Sequence, residues 1–205
     1  RYKEGDGPGF VLHAQTTDKL LAFATNGRFY TLGVDKLPGG RGFGEPLRLM
    51  VDLANGHDFI ALLIFKPDRK LLVVSSDGRG FVVRERAAFA QTRAGKQVLN
   101  VSGDIEAKIC RPADGDTVAV IGENRKLLVF DAAELPEMTR GRGVMLQRYK
   151  DGGLSDAIFF ERETGLQWRI GERTRTETDL RPWFGKRSQT GRLPPKGFPR
   201  NNRFD

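Results

Sequence analysis

Short apolar runs broken by turn residues make up most of the chain, and the runs come in pairs. Two of them flank Asn26-Gly27 in KLLAFATNGRFYTL, and two more flank Asp77-Gly78 in KLLVVSSDGRGFVVR. The design recurs around Glu123-Asn124 in TVAVIGENRKLLVF and, less regularly, around Gly171-Glu172 in GLQWRIGERTRTETDL. Paired runs of strand length about such centres predict β-hairpins, with a type I′ turn at Asn-Gly. A basic residue follows each turn, at Arg28, Arg79, Arg125 and Arg173. That predicts one outward basic position shared by all four hairpins. Helical periodicity of any length is missing.

A second pattern alternates with the hairpins. Its fullest copy is PGGRGFGEPLRLM (Pro38 to Met50), a glycine-arginine cluster that leads into an apolar stretch predicted to be a short strand. Weaker copies stand at TRAGKQVLNV (Thr92 to Val101), TRGRGVMLQRYK (Thr139 to Lys150) and GKRSQTGRL (Gly185 to Leu193). Anchored on Arg41, Arg93, Arg140 and Arg187, they are spaced 52, 47 and 47 residues apart, a period that means a repeat architecture. After each cluster a further strand leads to the next hairpin, giving about four short strands per period. The predicted fold is therefore all-β, a propeller-like ring of four-stranded blades with about four repeats visible. The ring could be complete, incomplete or open. RYKEGDG at the N-terminus matches RYKDGG at Arg148 to Gly153, so the chain is expected to start in mid-repeat, as a piece of a longer protein. Residues 1–205 read as one domain, with a basic, proline-rich and extended or flexible tail from about residue 194.

Composition adds limits. With 205 residues and 39% apolar content the chain can bury a real core, and no apolar run approaches a membrane span. The net charge of +8 is unevenly placed: Lys and Arg against Asp and Glu count 7 to 5 up to residue 50, 16 to 16 over 51–161 and 11 to 5 beyond. The middle repeats must therefore segregate their charges by face to attract an anion. The single Cys110 forms no internal disulfide and reads as a core residue of a reducing, cytoplasmic compartment.

Candidate catalytic chemistry fails wherever it is sought. Gly40, Gly42 and Gly44 alternate but do not make a dinucleotide fingerprint, and no phosphate-loop GK[ST] occurs. His13 and His57 have no companion at metal-ligand spacing. Acidic residues are scattered over turns, and Trp168 and Trp183 are expected to pack the last repeat. What the pattern leaves is a row of glycine-spaced basic loops. Glycine lets a backbone come close to a phosphate chain, and arginine offers it forked donors without reading sequence.

The order of NGR and DGRG hairpins, GGRGFGEPLRL, TRAGKQVL, KLLVF, ELP and TRGRG resembles the C-terminal domain of the DNA topoisomerase IV A subunit, which is related to that of the gyrase A subunit. The resemblance covers nearly the whole chain and weakens after about Glu161. It implies a β-pinwheel, in which a strand from one blade pairs within its neighbour. It also implies a non-catalytic role, binding and bending double-stranded DNA on a basic outer rim and steering substrate choice between supercoil relaxation and decatenation. The gyrase wrapping box is incomplete at PGGRGFG, QTRAGKQ and MTRGRGV, which favours the topoisomerase IV type. By the same resemblance the catalytic tyrosine lies outside this chain, and ATP and Mg serve the parent enzyme. The partners it implies are the topoisomerase IV B subunit and the N-terminal part of the chain's own subunit. A bacterial, nucleoid-associated location follows. The rim residues expected from register are Arg28, Arg41, Arg79, Arg93, Lys96, Arg140 and Arg142, with Arg48, Arg125, Lys126, Arg148 and Lys150 behind them. The alternatives are a gyrase-type wrapping domain or a propeller-like protein-interaction module.

Overall fold

The computed structural model describes residues 15, 17–36 and 44–205, so Arg41, His13, Tyr2 and most of the first glycine-arginine cluster lie outside the described residues. The four predicted hairpins are β1 (Lys19–Ala24) with β2 (Arg28–Gly33), β4 (Lys70–Ser75) with β5 (Arg79–Arg84), β8 (Thr117–Gly122) with β9 (Leu127–Asp131), and β12 (Leu166–Ile170) with β13 (Arg173–Glu177). The strands predicted after the clusters are β3 (Phe59–Ile64), β7 (Ala107–Pro112) and β11 (Leu154–Phe160). They pair antiparallel with β1, β4 and β8.

Each of the first three blades is completed from the following repeat. The two-residue strand β6 (Lys96–Gln97) pairs with β2, giving the order β3-β1-β2-β6. Likewise β10 (Val144–Met145) pairs with β5, giving β7-β4-β5-β10. In the third blade, β11-β8-β9, an isolated bridge from Leu127 to Arg192 takes the same place. This exchange of a strand between neighbours makes the fold a β-pinwheel.

The apolar runs of the first three hairpins are continuous because both faces of their strands are covered. In β4, Leu71 and Val73 pack with Leu21, Phe23 and Phe29 of the first blade, whereas Leu72 and Val74 pack with Val118, Val120 and Phe130 of the third. Each fully buried side chain of this kind contributes about 1.5–3 kcal/mol relative to its exposed state. Beyond β8, Ala119 and Ile121 face Leu166 and Trp168 of the last hairpin.

Four expectations need correction. The hairpin turns are not type I′, since Gly27 has a positive φ of 79° and Asn26 does not. Gly27 N–H donates to Ala24 O at 2.9 Å and Arg28 N–H to the Asn26 side-chain oxygen at 3.0 Å. This is a type I turn closed by a left-handed residue, the three-residue hairpin loop, and the Asn side chain satisfies the amide that the bulge leaves free. Next, the stretch after the first cluster is a short helix, α1 (Gly44–Met50), not a strand. Phe59 follows Arg41 by 18 residues, while Ala107 follows Arg93, and Leu154 follows Arg140, by 14. The four extra residues allow one helical turn, which buries Leu47 and Val51 and leaves Leu49 74% exposed.

The tail is the third correction. Instead of remaining flexible it folds back on the last two blades, where Phe198 and Phe204 are 3% exposed and Phe198 packs on Trp168 at 5.4 Å between ring centroids. A two-stranded sheet cannot cover its own apolar face, and the two phenylalanines complete the cover. Finally, Arg125 does not share the register of Arg28 and Arg79. The pairs Phe23 with Phe29, Val74 with Gly80, and Ile121 with Leu127 align Arg28 and Arg79 with Lys126. Arg125 therefore falls at the left-handed position held by Gly27 and Gly78, with a φ of 65°.

Candidate nucleic-acid interface

The exchanged segments bring the basic residues together. Just before the residue that pairs with the neighbouring blade stands Gly95, Gly143 or Gly191, recurring every 48 residues. All three have φ near +80°, and a Cβ would lie 2.8 Å from Phe29 O, 2.2 Å from Gly80 O and 2.4 Å from Leu127 O, respectively. The glycines of the clusters thus serve backbone-to-backbone docking of one repeat on the previous one. That corrects their assignment to close phosphate approach.

Docking places each cluster beside the preceding hairpin turn. Val98 and Leu99 N–H both donate to Gly27 O, and Leu146 N–H donates to Gly78 O at 2.8 Å. The clusters are also joined to one another. Asn100 N–H donates to Gly141 O at 2.8 Å and Gly141 N–H to Val98 O at 2.9 Å. One repeat on, Ser188 N–H donates to Leu146 O at 2.9 Å and Arg148 N–H to Gln189 O at 3.1 Å. The three described clusters form one hydrogen-bonded track that crosses the blades in sequence order.

The sequence-predicted cations divide into two groups along this track. Several are held by the protein itself. Arg28 donates to Ala94 O at 3.0 Å and fastens the exchanged loop to its turn. Arg125 donates to Pro199 O, Phe198 O and the Asn202 side-chain oxygen at 2.8–3.1 Å, so it anchors the tail. Arg48 pairs with Asp58 at 2.6 Å, away from the track. Arg93 is exposed but donates to Leu49 O at 3.0 Å and lies 3.6 Å from Asp52. Arg79 and Arg142 both approach Asp77, at 3.8 and 3.7 Å.

The others face outward. Lys96, Arg140, Arg148 and Lys150 are exposed and Lys126 is half-buried. Among the described residues none of these five has a carboxylate within ion-pairing distance. Arg140 makes only a long 3.4 Å contact with Asn100 Oδ1. Two further cations, Lys186 and Arg192, belong to the same group and were missed because the last cluster lacks the GRG spelling. The 48-residue glycine period points to them. Arg148, Arg181 and Arg192 line an open cleft of about 600 Å³ with Trp183, Ser188 and Thr190.

Other candidate chemistry is absorbed by structure. His57 Nδ1 lies 2.9 Å from Thr25 Oγ1, and Cys110 is half-buried against the core between the first two blades. Burial, reinforced by the Glu85 charge, pushes the Cys110 thiol well above its ordinary value. Burial likewise raises the Tyr149 hydroxyl, helped by Asp77 and Glu123. Neither is an activated nucleophile. Among the described residues no group of three or more His, Cys, Asp or Glu side chains is placed to hold a metal, and no helix is long and apolar enough to cross a membrane.

A row of strand-exchanged blades, with its basic loops stitched into one track, defines the class: this is a β-pinwheel domain. The family model described as "DNA gyrase C-terminal domain, beta-propeller" matches residues 69–107 and 116–157. Along its entire length the chain is similar to A subunits of DNA topoisomerase 4. The A subunit of DNA topoisomerase 4 from Rickettsia bellii is 48% identical over 204 residues, covering 100% of this chain and 28% of that protein. The protein of the same name from Caulobacter vibrioides is 49% identical over 205 residues, covering 100% and 27%. The chain thus spans little more than a quarter of these relatives. The solved C-terminal domain of E. coli ParC shares the fold with a TM-score of 0.79 at 23% identity, over 98% of this chain and 85% of that one.

Proposed function

We propose that this chain is the non-catalytic DNA-binding domain of a bacterial type IIA topoisomerase of the topoisomerase IV kind, and that it binds and bends duplex DNA along the basic track. In the full enzyme it would steer the choice of DNA segments for relaxation and decatenation, alongside the B subunit and the rest of its own polypeptide. The observation that carries this reading is the track itself. Lys96, Arg140, Arg148 and Lys150 stand exposed, with no carboxylate among the described residues pairing with them, on backbone segments that are hydrogen-bonded in a row. Such a row suits the regular phosphate spacing of a duplex and reads no base edges, as an enzyme acting on any DNA sequence requires. The whole-chain similarity to the A subunits of DNA topoisomerase 4 supports it.

The test is the paired charge reversal Arg140→Glu with Arg148→Glu. Both side chains are exposed, so the circular dichroism and melting temperature should stay close to those of the parent. Duplex affinity at about 0.1 M salt should fall at least tenfold, and the salt slope should shrink by about 2. A folded double variant with unchanged affinity would remove these residues from the interface.

A further inference from the structure

Asp77 occupies an unusual place on the track. Its carboxylate lies 3.8 Å from Arg79 Nε and 3.7 Å from Arg142 Nη2, so one acid serves two of the middle blade's cations. Arg79 comes from the blade's own hairpin and Arg142 from the segment docked on it. The side chain is partly exposed, at 27%, and solvent or a ligand can reach the cluster. The strand register places Asn26 and Asn124 at the same turn position in the first and third blades. There the amide oxygen accepts the N–H of Arg28 or Lys126 at 3.0 Å, so the turn folds without an acid. In the middle blade the Asp77 carboxylate accepts the hydroxyl of the buried Ser75, a bond that an Asn side-chain oxygen can also accept, so the negative charge is an addition that the turn geometry does not need.

We propose that Asp77 is an internal counter-ion that competes with phosphate for Arg79 and Arg142 and so lowers the affinity of the middle blade for DNA. The proposal rests on the DNA-binding function above. A duplex lying across the track must displace Asp77 from both arginines or leave the carboxylate close to its phosphates, and either way binding loses. The turns of the first and third blades have Asn at this position and place no acid there; the Asp52 carboxylate near Arg93 of the first docked segment comes from outside the turn. Affinity at the middle blade is thereby held below what its two arginines would give unopposed.

The isosteric change Asp77→Asn tests this, because Asn is the residue that the first and third turns already accept. At about 0.1 M salt the variant should bind a duplex several-fold more tightly than the parent chain, with a salt slope steeper by about 1 as arginines become available to phosphate. The reciprocal Asn124→Asp places an acid beside Lys126 and should weaken binding by a similar factor. The double variant should return close to the parent. If Asp77→Asn lowers the melting temperature, Asn124→Asp carries the test alone. Unchanged affinity in both folded single variants overturns the proposal while leaving DNA binding intact. A parent chain with no duplex affinity overturns the functional reading itself.

Discussion

Arg125 stands where the first two hairpins have glycine, in a left-handed backbone that an L-residue adopts at a cost of order 1 kcal/mol. Its three hydrogen bonds to Phe198, Pro199 and Asn202 offset that strain by fixing the tail, which in turn seats Phe198 and Phe204 in the core. Arg125→Ala keeps the strain and loses the bonds, so it should lower stability by about 2–3 kcal/mol. Arg125→Gly relieves the strain and should lose about 1 kcal/mol less. Urea denaturation of the two variants checks the order, and a reversed order would mean that the tail is held elsewhere. Duplex affinity of the folded variants should stay within about twofold of the parent, because this guanidinium is committed to the tail and neutralises no phosphate. Sequence register alone grouped Arg125 with Arg28 and Arg79. Only the strand pairing separates them, since ENRK carries one more basic residue than NGR and the pattern does not say which of the two faces outward.

At the scale of elements, the blades depend on close passage of two backbones at each exchange. Gly143 combines a φ of +78° with a Cβ position 2.2 Å from Gly80 O, so alanine there must both strain the turn and push the docked segment away. Gly171 has a comparable φ of +61° but nothing within 4 Å. Gly171→Ala should therefore cost about 1 kcal/mol, and Gly143→Ala about 3 kcal/mol or more. Equal losses in chemical denaturation would show that the exchange is not what the glycine serves. The first three hairpins were legible because their strands are buried on both faces, which leaves continuous apolar runs bounded by turn residues. The docking partner of each cluster was not, because LNV and MLQRY read as strands without saying which edge they join. Helix α1 escaped for a related reason: among the described residues only Leu47 and Val51 are fully buried to mark its period, too few to outweigh the strand-like copies at the later clusters.

For the whole molecule, the near-zero net charge of the middle repeats is reconciled by geometry. Acids such as Glu85 and Asp156 are buried, and both are paired with arginines, Arg69 and Arg111, outside the basic track. The exposed cations of successive clusters are thereby left to act together. On the proposed function the track would act only if the duplex follows it, and DNA is stiff over about 150 bp, so bending must be offset by many phosphate contacts. The most direct test is the affinity of the chain for duplexes of about 20 and about 150 bp across a series of salt concentrations. Log affinity should fall steeply against log salt, at about 0.9 per phosphate engaged, and the long duplex should gain more than its larger number of sites provides. A shallow slope at both lengths, with no gain beyond site counting, would contradict DNA binding along the track and leave its cations without a nucleic-acid role.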